Sequence, residues 1–249
     1  MVNKGFKYRD ISFEAMTETE YLAIACDISA SIGYKPDDVL EVDPRITSAY
    51  SLRVAMLELL AVGADPFLLV SLCGNEWEDT GLKFYEGIRS ELALAGYSDL
   101  PINGSTEENM MTTMSSIGVT LLGKVSIQHA LIRRIKSGQH CYQCGYPYLG
   151  PDVLIHREEI PTYDDVRYLH TLEGISEIVP IGSKGSLNEA HQTADANAYV
   201  FEALQNETVE QVGQLTAGPA TSLLVVGDET IKASLEDRFA YVIEIGQIK

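Results

Sequence analysis

The sequence predicts an α+β fold in two subdomains: an N-terminal mixed sheet with helices packed on it, and a smaller α+β C-terminal part. Three observations lead there. Antiparallel-capable strands and inserted helices follow one another in mixed order. The segment SAYSLRVAMLELLAVGADP, residues 48–66, is apolar on nearly every side of a helix, which marks it as buried between layers. After about residue 128 the chain becomes turn-rich, with Gly138, Gly145, Pro147, Gly150, Pro151 and Pro161 punctuating short strand candidates. The two parts are placed at 1–128 and 129–249.

Residues 1–20 are polar without a clear period and read as a loosely docked entry segment. The continuous apolar run YLAIACD, Tyr21 to Asp27, is a strand that ends in a carboxylate, and ISASIGYKPDD after it is a loop rich in Ser, Gly and Pro. VLEV is a short strand candidate. Thr47 or Ser48 is the expected N-cap of a helix over Ala49–Val62, which stops at Gly63 with Pro66 beyond. FLLVSLC has strand length and composition. Phe84, Ile88, Leu92 and Ala95 recur at helical spacing, and Gly96 closes that helix. LPIN is a short strand into a polar turn, NGSTEEN, and SIGVTLLGKV is a β-branched strand. In the second part a helix is expected from Tyr163 to Leu172, then a strand EIVPI, a Gly-flanked turn GSKG, a helix SLNEAHQTADANAYVFEAL, a strand PATSLLVVGD, a short helix ETIKASLEDRF and a final strand AYVIEIGQI.

The 36 acidic residues against 18 Lys and Arg give a formal charge of −18, which opposes sustained contact with a phosphate backbone and excludes nucleic acid as the expected partner. A small polyanion remains compatible, because divalent cations bring the countercharge to a carboxylate-lined site. The other reading is that acidity only keeps the protein soluble. The first residues lack the apolar core of a secretory signal, and no stretch reaches the roughly 18 apolar residues of a membrane span. A cytoplasmic location without membrane contact is the resulting expectation. Four cysteines are too few and scattered for a disulfide framework, so reduced thiols are expected.

Five places could carry chemistry. Asp27 ends a strand beside a small-residue loop, a position suited to holding a metal or phosphate-contacting group, or else an Asx turn. Glu58 lies among Leu57, Leu59, Leu60 and Ala61; a buried carboxylate needs a cationic partner, unless this helix edge touches solvent. In NGSTEEN the small residues could direct backbone N–H groups toward a ligand while Glu107 and Glu108 hold Mg²⁺, or the segment is a simple polar turn. Gly182-Ser183-Lys184-Gly185 stands between a strand and a helix, where N–H groups, the positive helix end and one ammonium could meet a phosphate or hydroxyl; an ordinary connection is the alternative. Cys141 and Cys144 form a CxxC, but no second pair exists, and alternation through CYQCGYP suits a strand better than zinc.

Taken together, these segments resemble the ATP-binding superfamily of aminoimidazole ribonucleotide (AIR) synthetase, selenophosphate synthetase, thiamine monophosphate kinase and the hydrogenase-maturation dehydratase. In that family a strand-end Asp, a helix of the form VNxSDxxAMGAxP and a GGDT or GGETAE turn surround Mg-ATP. Asp27 matches the first. Glu58 falls where the helix Asp would lie, five residues before Gly63, and Asn103-Gly104-Ser105-Thr106-Glu107-Glu108 overlays the turn. Three departures stand out: Ala55 for Asn, Glu58 for Asp, and Ser105 for an acid. Within the superfamily, CDISASIGYKPDD, LRVAMLELLAVGADP, NGSTEEN and VPIGSKGSLNEA are most similar to the α-ribazole kinase branch of cobalamin salvage.

The resemblance implies a homodimer with strands joined across subunits and ATP near that junction. It implies transfer of the γ-phosphoryl to a small nucleoside-like acceptor. Asp27, Glu58 and Glu108 would hold Mg²⁺, with Glu107 as a substitute. Lys35 would meet ATP phosphates, the segment Asn103, Gly104, Ser105, Thr106 to Asn109 would cradle the nucleotide, and Gly182, Ser183, Lys184 and Gly185 would face the acceptor. Other acceptors of the superfamily, such as thiamine monophosphate, are the alternative, as is an inactive nucleotide-binding scaffold.

Overall fold

The computed structural model describes residues 5–249. The chain divides into two compact units, the first running up to Leu59 and over Ala64–Gln128, the second comprising Leu60–Gly63 and His129–Lys249.

In chain order the first unit contains β1 (Phe6–Tyr8), β2 (Ile11–Ala15), β3 (Glu20–Ala30), β4 (Ile32–Gly33), β5 (Leu40–Glu41), α1 (Pro44–Ala61), β6 (Asp65–Cys73), α2 (Leu82–Leu94), β7 (Ile102–Thr106) and β8 (Ser116–Ser126). Six strands form one sheet in the order β1-β2-β3-β8-β6-β7, parallel only where β6 meets β7. The alternation of β8 assigns its faces: Ile117, Val119, Leu121 and Val125 are buried, while Gly118, Thr120 and Leu122 are half-exposed. The buried face packs on α1, where a Cβ at Gly123 would touch the Leu59 side chain. α1 is apolar all round, with Leu52, Ala55, Met56, Leu57 and Leu59 fully buried, as expected for a helix between layers.

Several expectations are corrected. The entry segment forms a hairpin, β1 on β2, and Tyr8, Ile11 and Phe13 enter the core; the part of that segment before residue 5 lies outside the described residues. The strand through Asp27 continues to Ala30, because β8 supplies pairing partners over its whole length. α1 starts at Pro44, whose fixed φ and missing N–H suit a first helical position, and Asp43 rather than Thr47 or Ser48 accepts at its entrance, from the Arg45 N–H at 2.9 Å. Residues Asn103 to Thr106 are not a turn but most of β7. β6, α2 and the parallel β7 form a strand-helix-strand unit, so this polar stretch is held by its pairing with β6 rather than by its own pattern.

The second unit contains β9 (His140–Cys144), α3 (Asp152–Ile155), α4 (Tyr163–Leu169), β10 (Ile175–Pro180), α5 (Gly185–Ala196), β11 (Phe201–Ala203), α6 (Glu207–Val212), β12 (Leu223–Gly227), α7 (Lys232–Arg238) and β13 (Val242–Ile248). Its five strands are antiparallel, in the order β10-β12-β9-β13-β11. Cys141, Val179, Leu224, Val226 and Ile245 build its core with Ala190, Ala194 and Val209. The Thr162 hydroxyl and the Asp165 carboxylate form a reciprocal box that starts α4. The helix expected through FEAL ends at Ala196; Phe201–Ala203 pairs with β13 instead.

Gly87 on α2 faces α1, and a Cβ there would run into the Arg45 carbonyl oxygen and the Ser48 hydroxyl. Helix propensity alone would favour Ala over Gly by about 1 kcal/mol. The expected outcome for Gly87→Ala is the opposite sign, a loss of about 1–3 kcal/mol from overpacking, read by denaturant unfolding.

Candidate functional site

The first unit's inner sheet face changes character along the strands. Ala23, Ala25, Leu69 and Leu121 are apolar and buried, and one step further the register brings Asp27, Val119 and Ser71 onto one row. Cys73 and Thr106 follow on the next inward row, with Ser29 across the sheet. Asp27 therefore points toward α1, where it accepts from the Ser51 hydroxyl and the Ile28 N–H. Burial raises its carboxyl from an ordinary 3.8 to about 6, against the opposing pull of those two hydrogen bonds. Ser51, buried at 3% exposure, is a partner that the sequence did not single out.

The other predicted carboxylates are elsewhere. Glu58 is on α1 two turns beyond Ser51, about 10 Å along the axis, half-buried and engaged by neighbours. Glu108 accepts from the Thr106 hydroxyl at 2.6 Å and from the Trp77 N–H at 2.8 Å. Glu107 accepts from the N–H groups of Asn109 and Met110, and closes its own turn. Among the described residues no three His, Cys, Asp or Glu side chains are grouped to hold a metal ion. The expected convergence of Asp27, Glu58 and Glu108 is thus corrected: two of the three are occupied by local structure.

Lys35 is also committed. Its ammonium lies 2.7 and 2.8 Å from the two oxygens of Glu76. Burial acts to raise the Glu76 carboxyl, but its bonds to Lys35, to its own backbone and to Thr80 together outweigh it, so the group sits below the usual range. Asp38 accepts from the Ser115 N–H, the Ser115 hydroxyl and the Lys35 N–H, all within 2.8 Å. Fully buried Asn75 bonds Thr112, the Met114 carbonyl and the Ser116 N–H. These bonds tie the loops after β3, β6 and β7 into one polar rim. Burial pushes the Cys73 thiol up, with the charges of Glu76 and Glu108 adding to it. On β7, Gly104 pairs with Ser71, and Asn103, Gly104 and Ser105 are exposed along an open sheet edge.

In the second unit, Gly182 to Lys184 lead into α5 as the sequence suggests, and Ser183 and Lys184 are exposed. The helix entrance is closed by backbone: Leu187 N–H donates to the Gly213 carbonyl at 3.0 Å, and Ala217 N–H to the Gly182 carbonyl at 3.1 Å. Cys141 and Cys144 lie three apart on β9, hence on opposite faces, and both are fully buried, as the strand reading of CYQCGYP requires. No helix among the described residues is long and apolar enough to cross a membrane.

No family model and no curated protein matches this sequence. Solved structures do match its fold. Thiamine monophosphate kinase from Aquifex aeolicus superposes with a TM-score of 0.65 at 16% identity, over 98% of this chain and 89% of that one. Thiamine-monophosphate kinase from Stenotrophomonas maltophilia gives 0.63 at 18% identity, over 99% and 89%. Phosphoribosylformylglycinamidine synthase II from Thermotoga maritima gives 0.60 at 15% identity over 96% of this chain, which spans 37% of that protein. The α+β fold expected from the sequence is therefore the fold observed.

Because folding raises the Asp27 pKa, the folded state binds more protons than the unfolded chain between the two values. This contribution makes stability fall as pH rises from about 4 to about 6, and level off above. Asp27→Asn should remove that fall, gaining on the order of 1–2 kcal/mol at pH 7 after allowance for partial solvent screening. Urea unfolding of both proteins across pH 4–8 checks it.

Proposed function

We propose that this chain is an ATP-dependent kinase that transfers the γ-phosphoryl group to a small molecule. The observation that carries the reading is the full-length likeness to thiamine monophosphate kinases, one of which is described in complex with AMPPCP and TMP. A polar, carboxylate-bearing zone at one end of the first unit's sheet supports it. Magnesium held by nucleotide phosphates takes only one or two protein carboxylates and keeps several waters, so a lone Asp27 fits it without a three-carboxylate cage. Asp27 would hold that ion, and when bound the ion would neutralise charge developing on the transferred group. Glu58, Glu107 and Glu108 keep their local contacts in this reading. Lys35 would meet phosphate after leaving Glu76, the exposed edge from Asn103 to Thr106 and Asn109 would lie along the nucleotide, and Gly182, Ser183, Lys184 and Gly185 would contact the acceptor.

Two acceptors are carried forward. Thiamine monophosphate is favoured by the structural neighbours, and α-ribazole by the four sequence segments quoted above. Incubation of the protein with Mg-ATP and each acceptor should yield ADP and one phosphorylated product. Asp27→Ala should lower the rate at least 100-fold, a loss of about 2.7 kcal/mol of transition-state stabilisation. ADP formation from neither acceptor, with Mg-independent ATP binding by calorimetry, would turn the assignment to the nucleotide-binding scaffold.

The same reading includes a homodimer. On the sheet face away from α1, Gly118 lies between Ile28 and Leu72, which are 73% and 57% exposed, and nothing nearer than 3.9 Å would meet a Cβ at that glycine. A second copy would cover this apolar trough. Wild-type protein should sediment as a dimer, and Ile28→Glu as a folded monomer.

A further inference from the structure

Around the polar rim, the loop from Ser31 to Asp38 and the segment from Gly74 to Tyr85 place three aromatic rings on the surface. The chain's single tryptophan, Trp77, is 41% exposed; Tyr34 is 53% and Tyr85 37% exposed. Trp77 and Tyr85 lie with ring centroids 5.8 Å apart at 58°, a geometry in which each ring keeps part of one face open. Two ammonium groups belong to the same segments. Lys83 stands 5.5 Å from the centre of the Tyr34 ring and 2.6 Å from Asp79, and Lys35 pairs with Glu76, the residue before Trp77.

The placement of Trp77 is enforced. Its N–H is held by Glu108, and the turn that follows forces Asp79 to φ 75 and ψ −78, a conformation L residues rarely adopt. Gly81 N–H to the Glu76 carbonyl at 2.9 Å and the Lys83 ion pair lock that strained turn in place. The strained turn thus carries Trp77 at the surface, 41% exposed, where a flat ring could cover it.

We propose that Tyr34, Trp77 and Tyr85, together with Lys35 and Lys83, form a subsite that stacks a planar heteroaromatic ring carrying an anionic or hydroxylated tail. The proposal rests on the kinase reading and specifies which chemistry that site takes. The ring is either the base of the nucleotide or the heterocycle of the acceptor. Both present the same flat π-face and differ in the tail that would reach Lys35. Stacking on an aromatic platform is tolerant of ring identity, whereas the two ammonium groups select for anionic or polar tails.

A sole tryptophan inside the subsite gives a direct readout. Emission from Trp77 should change saturably on titration with Mg-ATP or adenosine if the base is the ring, or with α-ribazole or thiamine monophosphate if the acceptor supplies it. Inorganic tripolyphosphate, which has no ring, should leave the emission unchanged. In calorimetry, Trp77→Ala and Tyr85→Ala should each weaken the responding ligand about tenfold, and Trp77→Phe should retain most of the affinity. All three side chains are at least one-third exposed, so circular dichroism should show folded variants; Tyr34→Ala provides a substitution outside the strained turn. Ring ligands that bind wild type and every alanine variant equally would overturn the subsite while leaving the kinase reading intact. Saturable emission changes without any phosphoryl transfer would keep the subsite and remove the kinase. No binding of any ring ligand to folded wild-type protein would remove both.

Discussion

The first unit depends on one pairing, the antiparallel ladder that joins Glu20–Ala30 to Ser116–Ser126 over eleven residue pairs. Side chains alternate across a sheet, so this single register decides two properties together. It turns Ala23, Ala25 and Asp27 toward α1, and it turns Ile24, Cys26 and Ile28 away. A slip by one residue would place Asp27 on the open face and bury Ile28 against Ser51. The position of the one carboxylate proposed to act and the apolar trough proposed to receive a second copy are two consequences of the same hydrogen-bonded ladder.

The acidic residues at the end of this sheet are used mainly to close loops. Asp38 satisfies three donors, Glu107 caps its own turn, and Glu108 fastens the segment after β7 to the turn after β6. A charge-assisted bond from a carboxylate to a backbone N–H is stronger than a neutral one. A chain with twice as many acids as bases can therefore spend several on architecture. Asp27 differs because its partners are a hydroxyl and one N–H, too little to offset burial, so its carboxyl is held above the usual carboxylate range.

What the sequence made legible follows from where each segment finds its stabilisation. FLLVSLC, SIGVTLLGKV, EIVPI and SLLVVGD could be read because β-branched and apolar residues dominate strands buried on at least one face. The hairpin β1-β2 is hard to read although ISFEA alternates, because Phe6, Tyr8, Ile11 and Phe13 are scattered through a polar stretch. Only the start of β7 was legible, through LPIN; its Gly-Ser-Thr continuation has no strand pattern of its own and exists because β6 and α2 deliver it there. Asp27 stands out in the sequence as a carboxylate in an apolar run, although it lies inside β3 and not at the strand end expected. Its partner Ser51 does not, since a serine in an apolar helix gives no sign of which strand it meets. Convergence of Glu58 and Glu108 failed for a related reason, as spacing along one chain does not say how strands and helices bring side chains together.

The distribution of positive charge adds a constraint on how an anion could enter. Acids outnumber Lys and Arg 36 to 18, and both lysines of the aromatic rim already hold carboxylates. Such partly exposed pairs contribute about 0–1 kcal/mol each, because desolvation and side-chain ordering offset most of the attraction. Exchanging Glu76 for a phosphate at Lys35 is therefore nearly neutral on the lysine's side, and the unfavourable part is the approach of a polyanion to the released Glu76 and to Glu108. A ligand bringing its own divalent cation cancels that repulsion, whereas bare phosphate does not. In the proposed kinase the acidic surroundings would thus favour stacking and metal-bridged phosphate over an anion that relies on the lysines alone.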